Sequence, residues 1–197
     1  MFPQNFPNEY SWLKNIGVLP RVLQEAIPLY GTAEVIGTGS SKTILSWRDT
    51  LNQNGVKISG YSDDGVPWCG LFAAYVAFKA GKAVVDDPLW ALNWAKFGDP
   101  VARRGTDGKL SGVDGRKPSL GDVLAYKRPG GGHVNFYIGE TATHFVGLGG
   151  NQSDQVNIKA IPKAQCVAVR RPLMTSPPAS MKPIQLARSG EIAGNLA

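Results

Sequence analysis

The chain of 197 residues holds only two cysteines (Cys69, Cys166) and two histidines (His133, His144). That scarcity excludes a disulfide-dense scaffold and a protein built on several zinc ions. No uninterrupted apolar run exceeds eight residues, the longest covering 71–78. A membrane-spanning helix needs about 20, so no transmembrane segment is expected. The opening stretch, MFPQNFPNEYSW, lacks a basic start and an apolar core and carries two early prolines. It does not read as a secretory signal. Charge is also sparse: charged residues make up 18%, with a net charge of +6. Basic residues are not interleaved with aromatics and no known module is evident, so nucleic acid is not an expected partner. Hydrophobic residues reach 43%, which excludes wholesale disorder.

Glycine (24) and proline (14) are abundant instead, and they punctuate the chain. Residues 1–19 read as an irregular arm, 20–172 as one folded domain, and 173–197 as a Pro-rich linker and weakly ordered tail with one short helix near 184–193. Pro20 followed by Val22, Leu23, Ala26 and Ile27 has helical spacing. GTGSS (37–41) supplies a capping serine for a second helix through Ile44, Trp47 and Leu51. CGLFAAYVAFKAG (69–81) is apolar nearly all round and predicts a buried helix ending at Gly81. Asp87-Pro88 predicts the start of a further helix. Residues 102–118 read as a Gly-rich basic loop, a solvated segment with modest attraction for an anionic surface. After Pro118, LGDVLAY, HVNFYIG, HFVGLGG, QVNIKAI and CVAVRR are short β-type runs. Helices followed by a meander of about five strands predict an α+β fold with an antiparallel sheet.

Cys69 falls at the expected N-terminus of the buried helix. Free N–H groups and the helix dipole there favour a thiolate, and can lower a cysteine pKa from about 8.5. His133 follows three glycines and opens a strand, where an imidazole can face a cleft. Asn151 ends the next strand. Singly, each has an ordinary structural explanation. Together they supply a nucleophile, a base and a group to orient the base. His133 and Asn151 are 18 residues apart, which suits one hairpin.

These residues carry a resemblance. PWCGLFAAYV, GDVLAYKRPGGGHVNFYIGE and VGLGGNQSDQVNI resemble the Cys, His and Asn boxes of the CHAP and NlpC/P60 cysteine peptidases. The match is to a subgroup of phage and bacterial genomes that pairs a WCxxF box with GHV and LGGNQS, and it covers roughly 20–172. The resemblance implies a papain-like fold and hydrolysis of an amide bond in peptidoglycan, by an amidase or an endopeptidase. It implies Cys69 as nucleophile, His133 as general base and acid, and Asn151 as the residue orienting His133. Trp68, Tyr61, Asp64, Gly132 and Gln152 are expected to line the cleft. No metal or other cofactor is implied, and a monomer is expected. Made without a signal, such a protein would act at the cell wall or periplasm after delivery by a holin, a virion or a secretion system. Two departures stand out. Many relatives have Asp-Cys-Ser where this chain has Trp68-Cys69-Gly70, and many have a Glu where this chain has Gly149.

Other readings use the same residues. A zinc site from Cys69, Cys166, His133 and His144 lacks paired ligand spacing. A Cys69–Cys166 disulfide has no export signal to support it, and Cys166 alternates like a buried strand residue. A virion or wall-binding protein with a vestigial site, or a cysteine-dependent acyl transferase, are the alternatives to a hydrolase.

Overall fold

The computed structural model describes residues 1–187 and 190–193. Helices α1 (Arg21–Ala26), α2 (Lys42–Gln53) and α3 (Cys69–Lys79) precede seven strands: β1 (Asp99–Arg104), β2 (Leu110–Gly112), β3 (Val123–Arg128), β4 (Gly131–Glu140), β5 (His144–Gly149), β6 (Asn157–Pro162) and β7 (Cys166–Arg171). The strands form one sheet in the order β2-β1-β7-β3-β4-β5-β6, and every pairing is antiparallel. The α+β class holds, with seven strands rather than five.

The two additional strands, β1 and β2, come from the segment read as a basic loop and its approach. Only Val101 and Ala102 of β1 are buried, so the run offers no alternation to read. Arg104 of this segment is bonded to backbone. Arg104 Nε donates to the Cys166 carbonyl at 2.8 Å and Arg104 Nη2 to the Lys163 carbonyl at 2.7 Å. Asp87 also differs from expectation. It takes a left-handed φ of 45°, and the residues after it form only a 3₁₀ turn, Ala91–Lys96. Ser41 sits at the N-cap of α2 without a side-chain cap bond; its amide instead donates to Asp64 Oδ2 at 2.8 Å.

Helix α3 is the hub, packed on α1, α2, β4 and β5. Phe72 meets Phe136 of β4 edge to face, and Trp47 of α2 lies against Trp68, Phe72 and Tyr75. Gly70 sits at a close approach of two backbone segments. A Cβ there would stand 2.2 Å from the Pro88 carbonyl oxygen and 2.8 Å from that of Leu89. The 88–89 backbone crosses the first turn of α3 so closely that serine has no room.

Residues before α1 and residues 184–187 pack on this body. Phe6 and Leu13 of the arm are buried, and residues 8–14 form a 3₁₀ helix. Ile184 and Leu186 are buried, Tyr137 Oη donates to the Ile184 carbonyl at 3.2 Å, and Gln185 bridges to Glu140. The tail from 173 is therefore attached to the sheet, and 184–187 are not helical. The remainder of the helix expected near 184–193 falls partly on 188 and 189, outside the described residues. Ile184→Ala is expected to lower stability by about 3 kcal/mol through the cavity it leaves, read as a shift of the urea midpoint at constant slope.

Candidate active site

Cys69 occupies the first turn of α3, the His133 backbone lies in β4 opposite Tyr126, and Gln152 follows the end of β5. Both Cys69 and His133 are buried. The backbone of Val134, Gly70 and Cys69 favours the Cys69 thiolate, the first of these belonging to β4 one residue after His133. Burial nevertheless dominates and pushes the thiol up, against the pull of that backbone and of Arg128. The helix start does not deliver the lowered pKa expected from position alone, because desolvation of the thiolate outweighs it. At neutral pH the Cys69 side chain is therefore a neutral thiol.

His133 is held through one nitrogen. Its Nε2 lies 2.9 Å from Gln152 Oε1. The Gln152 amide is fixed by its other end, where Nε2 donates to the Gly147 carbonyl at 3.2 Å and to the Asn157 carbonyl at 2.6 Å. Those acceptors turn Oε1 toward the imidazole, so His133 Nε2 carries the hydrogen and donates. Asn135 Nδ2 donates to the same oxygen at 3.1 Å, and Asn135 Oδ1 accepts from Tyr126 Oη at 3.4 Å. The other imidazole nitrogen, Nδ1, is buried and bonds to nothing among the described residues, Cys69 included. It therefore presents a free lone pair.

Burial chiefly lowers the His133 pKa to about 4; the bond to Gln152 raises it, while Arg128 and Lys159 lower it. The imidazole is therefore neutral at neutral pH and competent to accept a proton. It also links folding to pH. The unfolded histidine, at about 6.5, binds a proton that the folded one refuses. Its contribution is present in full above pH 6.5 and lost as pH falls toward 4, a total of about 3 kcal/mol. Urea titrations of wild type and His133→Ala across that window are expected to diverge by this amount, with wild type losing stability faster on acidification.

The partner expected for His133 differs from the one found. Asn151 Nδ2 donates to Glu34 Oε1 at 3.3 Å, and Gln152 occupies the orienting position. The reason is a backbone turn. The β4–β5 register pairs Phe136 with Leu148, and continued unbroken it would set Asn151 opposite His133. The strand instead stops at Gly149, and Asn151 adopts a left-handed φ of 53°, which delivers the next side chain. Gly149 leaves the space that Asn135 and Gln152 fill. A Cβ there would lie 2.7 Å from Asn135 Cβ and 3.2 Å from the Gln152 amide. No Glu fits where Gln152 already reaches the histidine.

Of the residues expected to line the cleft, Gln152 does so, in a cavity of about 230 Å³ shared with His133, Asn151, Arg128 and Lys159. Gly132 is half-buried under Ala91 and Leu92. Trp68 is fully buried, and its Nε1 donates to Glu34 Oε1 at 2.7 Å. Tyr61 is buried with its hydroxyl unpartnered among the described residues, and burial raises its pKa. Asp64 is buried as a clamp, accepting from the amides of Val35 and Ser41. Burial is the largest single influence and raises its pKa, but the amides of Ser41 and Val35 with the Ser40 side chain together hold it below the ordinary carboxylate value. Trp68, Tyr61 and Asp64 therefore support the site from behind.

Glu34 and Asn135 were not singled out from sequence. Asn135 was legible, because it sits two residues after His133 on the same strand face. Glu34 had no local signal. It ties Trp68, the neighbour of Cys69, to Asn151, and so joins the two ends of the site. Cys166 and His144 stand apart. Cys166 is a free, buried strand residue whose thiol is pushed up to about 12 by burial. His144 Nδ1 pairs with Thr143 Oγ1 at 2.8 Å. Among the described residues no three His, Cys, Asp or Glu side chains are grouped to hold a metal, and no helix is long and apolar enough to cross a membrane. Comparison with protein-family models, with curated proteins and with solved structures gave no match.

Proposed function

We propose that this chain is a cysteine hydrolase of papain-like type that cleaves an amide bond in peptidoglycan, with Cys69 as nucleophile, His133 as base and acid, and Gln152 as the residue that orients His133. The observation that carries the chemistry is the fixed imidazole. Gln152 holds the Nε2–H, so the lone pair on Nδ1 is left for a proton. The choice of peptidoglycan rests on the resemblance of the Cys, His and Gly-Gly-Asn boxes.

In the reaction, the Cys69 thiol passes its proton to His133 Nδ1 as sulfur attacks the amide carbonyl carbon. The backbone N–H of Cys69, at a helix start, stabilises the developing oxyanion. The tetrahedral adduct collapses as Nδ1–H protonates the leaving amine, giving a thioester. Water then gives a proton to Nδ1 and attacks the thioester, releasing the carboxylic acid and restoring the thiol. A raised thiol and a lowered imidazole make this a concerted proton transfer rather than attack by a standing thiolate–imidazolium pair.

Purified cell walls incubated with the protein should yield new amine termini and soluble muropeptides, identified by mass spectrometry. Chelator should leave the yield unchanged, and thiol alkylation should remove it. Transfer of the acyl group to an added amine in place of water would make the chain a transferase. Absence of any product would leave a binding protein with a vestigial site.

A further inference from the structure

The cavity beside His133 is strongly one-signed. Arg128 and Lys159 both line it, and no carboxylate does among the described residues. Neither cation forms an ion pair there; the side-chain bond of Lys159 is to Ser153 Oγ at 3.3 Å. The sheet register puts both on the face that carries His133. Tyr126 pairs with His133, so Arg128, two residues on along β3, shares that face. Lys159 of β6 pairs with Gly147, and the space over Gly147 is filled by the Asn135 side chain. Asn135 lies two residues from His133, so Lys159 also projects to that face, on the other side of the imidazole. Both charges reach the ring, since each holds the His133 pKa down.

We propose that this cavity is a carboxylate subsite, in which Arg128 and Lys159 together bind a free carboxylate carried by the substrate peptide next to the amide that is cut. The preferred substrate is then an acidic stem peptide, and the same peptide with that carboxylate amidated is a poor one. Two cations set either side of a catalytic imidazole, with no protein counter-ion, would otherwise disfavour the protonated imidazole that each half-reaction forms. A substrate carboxylate between them cancels that opposition only when the correct peptide is seated. The site thus couples recognition to the proton transfer.

The inference rests on the hydrolase reading, and one paired experiment separates the two. Binding of a muropeptide with a free stem carboxylate, and of its amidated counterpart, is measured by calorimetry on the Cys69→Ala protein, which cannot turn either over. Cleavage of both is measured on wild type. The free acid is expected to bind at least about tenfold more tightly than the amide. Arg128→Gln with Lys159→Gln should abolish that preference, while Lys57→Gln with Lys79→Gln, the same loss of charge at residues that do not line the cavity, should keep it and so exclude an effect of net charge. Equal binding of acid and amide, or no binding of either, overturns the subsite. Equal binding with cleavage of both leaves the hydrolase standing without it. Failure of wild type to cleave either peptide overturns the hydrolase reading, whatever the binding shows.

Discussion

Cys69→Ala is expected to release no muropeptide above the uncatalysed background, a loss on the order of 10⁴-fold or more in kcat/KM. No other group takes over the bond to the acyl carbon, because Cys166 lies in β7, buried, with its own thiol proton held tightly. His133→Ala should cost a similar amount, since the thiol is raised by burial and has no other base at hand. The double variant is the decisive comparison. Groups that act as one unit are not additive, so it should be no slower than either single variant. A multiplied loss would separate the two residues. Folding is expected to survive both changes. Cys69→Ala removes one small buried sulfur, and His133→Ala removes a ring whose Nδ1 has no partner among the described residues. Gln152 Oε1 would still accept from Asn135 at 3.1 Å, so the polar cluster keeps its members in place. Circular dichroism and the urea midpoint at pH 7.5 read that control. Unchanged activity in either single variant would remove the residue from the mechanism.

The two residues carrying this expectation were legible because their signals are local. A cysteine opening an apolar run is a helix start, and a histidine after three glycines is a strand mouth. What the sequence could not convey was the balance of desolvation against helix dipole at Cys69. That balance depends on how closely β4 and the 88–89 backbone close over the first turn of α3. The sheet was legible where strands are continuous buried apolar runs bounded by turn residues, as in β3, β4 and β5. It was not legible in β1 and β2, where burial is confined to Val101 and Ala102 and Arg104 is recruited to carbonyls of neighbouring segments. The tail was obscured for a related reason. Its prolines mark irregular backbone, but irregular backbone can still bury Ile184 and Leu186 against a sheet.

Glycines at the site mark where other groups come closest to the backbone. Gly70 admits the 88–89 carbonyls, Gly149 admits Gln152, and Gly150 admits Trp68, whose ring would lie 2.6 Å from a Cβ there. Each lacks a side chain because another group occupies its space. Glu34 is the counterpart among polar residues. By accepting from both Trp68 and Asn151 it fixes the turn that rejects Asn151 from the histidine.

Gln152→Ala is accordingly expected to cost far more than Asn151→Ala, the reverse of the order the box motif alone implies. Loss of the Gln152 carbonyl frees the His133 ring to rotate and removes the acceptor that keeps hydrogen on Nε2. A fraction of molecules would then carry hydrogen on Nδ1, the wrong nitrogen for accepting the thiol proton. A loss on the order of 10³-fold in kcat is expected, between the effect of a misplaced orienting group and that of a missing base. The same change removes the one interaction that raises the His133 pKa, so the acid limb of kcat/KM should move down from about 4, not up. Gln152→Glu is the complementary probe. A carboxylate accepts from the same Nε2–H but cannot donate to the Gly147 and Asn157 carbonyls, and as an anion it stabilises the imidazolium. Activity should partly return, with the acid limb moved upward. Asn151→Ala removes one 3.3 Å bond to Glu34, while the Trp68 bond to that carboxylate remains. A loss of no more than about tenfold is expected, with the pH profile unmoved. If Asn151→Ala instead shifted the acid limb and Gln152→Ala did not, the orienting role would return to Asn151, and the left-handed turn at residue 151 would have to open when substrate binds.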